Sequence, residues 1–252
     1  MISRREIQKT SRRSDHDDNV WVHPFSGRMA SWATWVCVNL GLSANQVTIL
    51  SFVSGLTSAI ILLSDNQVAA FAAFALFRLH LVLDASDGEV ARYRNQISPM
   101  GVYWDQSMHF IVYPLIFACL TWGRLFNEAS TFLVVFGMLG MVGKIIDYGL
   151  QNAYYRVLYT SNRPREEPTQ ANESSGLSGR LGHVLNIGLH FAGYDGLLFF
   201  FAVGYFVGGT WLGFAARDYV IAVYAVSTLL MALTRMVLIP SRDRIPMRKD
   251  LR

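Results

Sequence analysis

The stretch VAAFAAFALFRLHLVL, residues 68–83, runs without a break into DASDGEVAR, residues 84–92. Its apolar part is shorter than the roughly 20 residues that a spanning helix needs. The helix becomes long enough only by continuing through Asp84 to Ala91, which carries carboxylates to the membrane edge. An apolar helix that ends in acid sets both the fold class and the place to look for chemistry.

The rest of the composition agrees. Of the 252 residues 52% are hydrophobic and 16% charged, against about 25% charged in an ordinary soluble domain. A mean hydropathy of +0.28 is more apolar surface than one soluble core of this size can hide. Cys37 and Cys119 lie in apolar surroundings, far apart in sequence, and suit neither a disulfide framework nor a zinc cluster. The net charge of +4 comes from basic residues scattered between apolar runs, which suits anionic lipid headgroups and not nucleic acid.

Six windows qualify as spans, at about 46–63, 68–83, 102–122, 129–150, 184–208 and 219–239. The expected architecture is an all-α integral membrane protein of six transmembrane helices preceded by a cytoplasmic interfacial amphipathic helix. That helix is expected over Trp21–Leu42, where Phe25, Met29, Trp32, Trp35 and Val36 alternate with polar residues. Residues 1–19 read better as a disordered arm. The organisation is then an arm and interfacial helix over 1–42, a six-helix domain over 43–240, and a basic tail over 241–252. Residues 161–181, rich in Ser, Glu, Pro, Gly and Arg, read as a solvated loop. Gly137, Gly140 and Gly143, with Gly204 and Gly208, suit close helix contact. Packing within one chain explains them more simply than a homodimer seam, which stays open.

At this acidic end, Asp84 and Asp87 are three residues apart and Asp105 and His109 four apart, so each pair shares a helix face. Two facing helix ends would bring four ligands to one point. Three carboxylates that close repel one another unless a cation neutralises them, and oxygen ligation favours Mg²⁺ or Mn²⁺. Gly88 and Ala91 are small enough for a ligand to approach the backbone, and Arg92 offers a fork for phosphate oxygens. Ser98 and Pro99 read as N-cap and first-turn proline of the next helix, leading into Gly101. Any one of these residues alone would be a cap or a packing residue.

Together they spell Asp84-x2-Asp87-Gly88-x2-Ala91-Arg92-x8-Gly101-x3-Asp105-x3-His109. This resembles the signature of the CDP-alcohol phosphotransferase (phosphatidyltransferase) family, D-x2-D-G-x2-A-R-x8-G-x3-D-x3-D, in every fixed place but the last. Ser43-Ala44-Asn45-Gln46-Val47-Thr48 is similar to the family's T-P-N-x-x-T segment, without its proline and first threonine. The resemblance implies a CDP-linked donor, an acceptor alcohol whose hydroxyl attacks the donor's β-phosphorus, and release of CMP in phospholipid or related polar-lipid synthesis. It implies Asp84, Asp87 and Asp105 as metal ligands, and Gly88, Ala91, Arg92, Gly101 and Asn45 as nucleotide contacts. Asp105 is also expected in the catalytic set.

Position 109 departs from the pattern, whose fourth Asp helps hold metal and serves as general base. His109 retains the capacity to act as base, because its ordinary pKa near 6.5 lies close to working pH. Imidazole is a poorer ligand for Mg²⁺, so a second metal is weakened. Altered or lost catalysis is the alternative, and a small transporter the rival from another class. Lys144 and Asp147 are spaced to pair with each other, and Lys144 with Arg156 are candidates to grip a phosphate-bearing acceptor. His80, His190, Arg78, Asp195 and Arg235 read as structural.

Orientation follows from the connections: 17 of the 22 Lys and Arg fall on the side shared by both termini, and only Arg124 and Arg217 on the other. Both termini and the site are therefore expected in the cytoplasm, at the inner membrane in a bacterium. A cysteine placed in the 161–181 loop should resist a membrane-impermeant maleimide in sealed right-side-out vesicles until they are permeabilised. Ready labelling from outside reverses the topology.

Overall fold

In the computed structural model, residues 2–11, 26–127, 131–160, 194–207, 210–211 and 214–242 are described. The helices are α1 (Arg4–Ser11), α2 (Ser26–Asn39), α3 (Ala44–Ile61, extended by a 3₁₀ turn over Leu62–Ser64), α4 (Gln67–Tyr93), α5 (Pro99–Asn127), α6 (Thr131–Thr160), α7 (Tyr194–Val203) and α8 (Ala216–Arg242). Strands β1 (Thr210–Trp211) and β2 (Phe214–Ala215) pair antiparallel, a small addition to the all-α expectation.

Among the described residues, five helices are long and apolar enough to cross a bilayer: Ala44–Ser64, Gln67–Tyr93, Pro99–Phe126, Thr131–Leu150 and Ala216–Thr234. The window expected over 184–208 starts outside the described residues, and its described part forms the 10-residue α7. The loop expected over 161–181 and the tail beyond 242 also lie outside them.

Local signals account for the helix ends. Ser43 and Gln46 form a capping box at the start of α3. The Asn66 side chain caps α4, accepting from the Ala69 N–H at 2.8 Å. As expected, α4 does not stop at Leu83 but continues to Tyr93. Asn95, in the left-handed region at φ 53°, turns the chain back. Pro99 opens α5, and Ser98 Oγ accepts from the Gly101 N–H at 3.0 Å.

Helices α3 and α4 pack closely because the face of α3 is small and polar. Ser51, Ser54 and Ser58 donate to the carbonyls of His80, Leu76 and Ala73 at 3.0, 2.8 and 2.8 Å. In lipid, such hydroxyl-to-backbone bonds replace the missing hydrophobic force between helices. The glycines of α6 serve the same purpose: a Cβ on Gly137 would strike Thr121, on Gly140 Phe117, and on Gly143 Thr228. Their role here is packing within the chain.

The disordered arm expected over 1–19 is corrected for residues 4–11, which form α1. Ile7 is 1% exposed and packs with Cys37, Val38, Ala44, Val47 and Val90. The Arg4 guanidinium lies 4.4 Å from the Trp32 ring centre and donates to Ser31 Oγ at 2.8 Å. A mostly polar sequence concealed one apolar anchor. Helix α2 buries Ala30, Thr34, Cys37 and Val38, and leaves Met29, Trp32 and Val36 exposed.

At the opposite end of the bundle, Arg124 is 1% exposed. Its Nε and Nη2 donate to Asp218 at 2.8 and 3.1 Å, and its Nη1 to Asp65 at 2.9 Å. The Tyr205 hydroxyl donates to Asp65 at 2.6 Å, while Arg217 lies 3.8 Å from the same carboxylate. The two arginines counted on the far side thus tie the α3–α4 turn to α5, the segment after α7, and α8.

Removing one partner of such a buried network leaves the other charge uncompensated, at a cost of about 3–5 kcal/mol. Arg124→Leu should therefore lower thermal stability in detergent strongly, while the more exposed Arg217→Leu costs much less. Equal melting temperatures for Arg124→Leu and the parent would show that this network holds nothing together.

Candidate active site

The C-terminal third of α4 and the first turns of α5 bring Asp84, Asp105 and His109 together. One donor atom from each lies within 4.8 Å of the others. His109 Nε2 is 3.3 Å from Asp105 Oδ1 and 3.5 Å from Asp84 Oδ1. Helical spacing makes this possible, since Asp105 and His109 sit one turn apart. The face of α4 that carries Asp84 meets them.

Asp87 is placed differently. Its Oδ2 accepts from Thr48 Oγ1 at 2.6 Å, so one of its oxygens is engaged by α3. The other three donors form the tight group. Thr48 is the last residue of the Ser43–Thr48 segment, and its hydroxyl links the first span to the acid cluster.

The donor set fits a divalent cation. Asp84 Oδ1 is buried without a hydrogen-bond partner, an arrangement expensive for a carboxylate oxygen unless a cation or donor meets it. Ligands on an octahedral ion with bonds of about 2.1 Å stand roughly 3 Å apart in cis and 4.2 Å in trans, close to the separations found here.

Aromatic rings enclose His109. It stacks on Tyr113 with ring centres 5.2 Å apart and on Tyr148 at 5.9 Å, while His80 meets it edge-on at 6.0 Å. His80 is fully buried and its Nδ1 lies 2.9 Å from Ser51 Oγ, consistent with the structural role expected for it. Tyr113 and Tyr148 were not singled out in the sequence. Tyr113, one helical turn beyond His109, was the available signal.

The remaining expected residues divide. A Cβ on Gly88 would lie 3.3 Å from Arg92 Nη1, so the glycine and the arginine fork share one face. Gly101 is in the first turn of α5, close to Ser98. Ala91 packs toward the cluster built around Ile7 and Val90. Asn45 is exposed in the first turn of α3.

Lys144 pairs with Asp147 at 3.2 Å and lies 5.8 and 5.2 Å from the Tyr113 and Tyr148 ring centres, beside the His109 stack. Arg156 is exposed further along α6. Twelve residues at 1.5 Å rise separate it from Lys144 by about 18 Å along the helix axis. Arg78 is half-buried in α4, whereas His190 and the side chains of Asp195 and Arg235 lie outside what is described.

Residues 41–160 match the CDP-alcohol phosphatidyltransferase family model. The match contains the whole signature, from Asp84 to His109, and the helices that carry it. A curated relative, the bifunctional IPC transferase and DIPP synthase of Thermococcus kodakarensis, is 29% identical over 101 residues. That alignment covers 40% of this chain but 22% of the relative, so the chain spans about a fifth of that protein's length.

Among solved structures, phosphatidylinositol phosphate synthase of Mycobacterium tuberculosis with CDP-DAG bound superposes with a TM-score of 0.58 at 17% identity. The superposition covers 87% of this chain and 100% of that one. The same enzyme in complex with manganese and citrate gives 0.58 at 17% identity over 86% and 93%. At that identity the likeness establishes the fold.

Asp84→Asn and Asp105→Asn should each remove a ligand and weaken Mn²⁺ binding at least tenfold, read by electron paramagnetic resonance of the purified protein. The Asp87→Asn effect should be smaller, since Thr48 already engages that carboxylate. Parent-like Mn²⁺ affinity in Asp105→Asn would remove this residue from the metal site.

Proposed function

We propose that this protein transfers a substituted phosphate group from a CDP-linked alcohol to the hydroxyl of an acceptor alcohol, releasing CMP, in the synthesis of a phospholipid or related polar lipid. The convergence of Asp84, Asp105 and His109 within the family signature carries the reading. In this reaction the acceptor oxygen bonds to the β-phosphorus, the bond from that phosphorus to the CMP oxygen breaks, and the hydroxyl proton passes to a base.

Asp84, Asp105 and His109, supported by Asp87, would hold Mg²⁺ or Mn²⁺, which supplies charge stabilisation on the pyrophosphate. Imidazole among the donors favours Mn²⁺ over Mg²⁺. Gly88 and Gly101 leave room for the nucleotide, and Arg92 presents its fork to phosphate. His109 Nε2, facing the carboxylates, has one lone pair for either duty: bound to the cation it is a ligand, and left free by a cation resting on the aspartates it is the nitrogen positioned to take the proton. Lys144, beside the same stack of rings, is the candidate for a polar or phosphorylated acceptor.

The relatives support a lipid product: CDP-DAG is bound in the mycobacterial structure, and the Thermococcus kodakarensis protein is an IPC transferase and DIPP synthase. The basic ends of α4 and the termini support a cytoplasmic site. The exposed Met29, Trp32 and Val36 of α2, followed by the exposed Leu40, support an interfacial helix lying in the headgroup layer. A homodimer remains compatible with the lipid-facing helices.

Release of CMP from a panel of CDP-alcohols, with and without Mn²⁺ or Mg²⁺ and across candidate acceptors, tests the function. His109→Ala should then lose about 10²–10⁴-fold in rate, the usual contribution of a positioned base. His109→Asp should retain or raise activity, because it restores the family pattern. A His109→Ala enzyme as fast as the parent removes histidine from proton transfer. No metal-dependent CMP release from any donor would favour a scaffold that retains the fold alone.

A further inference from the structure

Helix α1 stands outside the family match, which begins at residue 41, yet it reaches the signature directly. The Arg92 Nε–H donates to the Ser11 carbonyl at 2.5 Å, across 81 residues of sequence. Ser11 is 1% exposed and closes α1, its hydroxyl returning to the Ile7 carbonyl at 2.8 Å. The last carbonyls of a helix carry partial negative charge and lack partners within it, so a guanidinium complements them.

We infer that α1 is a positioning element for the nucleotide-binding arginine: docked through Ile7, it presents the Ser11 carbonyl that aims the Arg92 guanidinium along the Gly88 face. This rests on the reading of Arg92 as a contact to the CDP-linked donor. Three observations meet in it. The Nε of Arg92 is taken by α1, and Nη1 of the same group lies over Gly88. The anchor Ile7 is buried against Val90, two residues before Arg92. Independent ties hold α1 in place at its other end: Arg4 to Ser31 and Trp32, the Ile2 N–H to Asn39, and the Trp35 indole N–H to the Ile2 carbonyl.

The physical effect is preorganisation. Arginine is long and rich in rotamers, and its planar fork meets phosphate well only when its plane is fixed. Fixing Nε before the ligand arrives leaves less freedom to lose on binding. The N-terminal segment then contributes to donor affinity without touching the donor, and Ser11 and Ile7 are positioning residues.

The test uses the full chain, purified in nanodiscs with Mn²⁺, and CDP as the probe in equilibrium binding. Ile7→Asp should undock α1 and weaken CDP binding about tenfold, the scale of one hydrogen bond to a charged group. Ile7→Leu should stay within about twofold. Ile7→Ala, a milder change that should preserve folding, falls between them. Mn²⁺ affinity measured without nucleotide should be unchanged in all three, as general damage to the bundle would not allow.

The decisive comparison is in the Arg92→Ala background, where Ile7→Asp should cause no further loss of CDP. If Ile7→Asp binds CDP like the parent, or weakens it by the same factor with and without Arg92, the inference is overturned while the donor site stands. If Arg92→Ala itself leaves CDP binding unchanged, the donor role of Arg92 fails, and this inference fails with it.

Discussion

The flush contact between α3 and α4 governs what lies at either end of the bundle. Three serine hydroxyls of α3 bond to carbonyls of α4. Individually such bonds average about 0.6 kcal/mol in membranes, so no one of them decides the fold. Their combined effect is to fix register: with Ser58 at Ala73, Ser54 at Leu76 and Ser51 at His80, the next turn of α3 brings Thr48 to Asp87. A shift of one residue along α3 would break all four contacts at once.

That register separates two polar clusters by a nearly bilayer-thick apolar band. From Asp65 to Asp87 the chain climbs 22 residues, about 33 Å at 1.5 Å each, and the hydrocarbon core is about 30 Å thick. The clusters solve the problem of buried charge in opposite ways. At the Arg124 end, carboxylates and guanidinium groups satisfy one another, which gives a rigid closure. At the Asp84 end, no basic side chain among the described residues forms an ion pair with Asp84 except His109. The charge there is left for a ligand to balance, as a binding site requires and a purely structural cluster does not.

Much of this was legible in the sequence because membrane helices declare themselves by length. The extension of α4 through Asp84, the cap at Ser98 and the pairing of Lys144 with Asp147 all followed from spacing. What escaped were interactions between residues remote in sequence and individually unremarkable. Arg124 and Asp65 are 59 residues apart, and nothing local marks either as buried. Ile7 is a lone apolar residue in a charged segment, so periodicity carried no signal. The same holds for Asp87: helical spacing put it beside Asp84, but only the approach of α3 shows that Thr48 engages one of its oxygens.

His109 brings the two kinds of information together. The resemblance to the family signature implies two duties for this position, metal ligation and proton acceptance. A carboxylate has two oxygens and can divide those duties. The nitrogen of His109 that faces Asp84 and Asp105 is Nε2, and its single lone pair cannot coordinate a cation and take a proton at the same time. Its Nδ1 is buried without a hydrogen bond, enclosed with the rings of Tyr113, Tyr148 and His80, and so offers no ready second lone pair to the carboxylate side. Histidine at this position would therefore separate the two duties that the resemblance implies for an aspartate. If Nε2 is the base, the cation rests on the aspartates; if it is a ligand, another oxygen must take the proton, and Asp105 is the nearest in the described cluster.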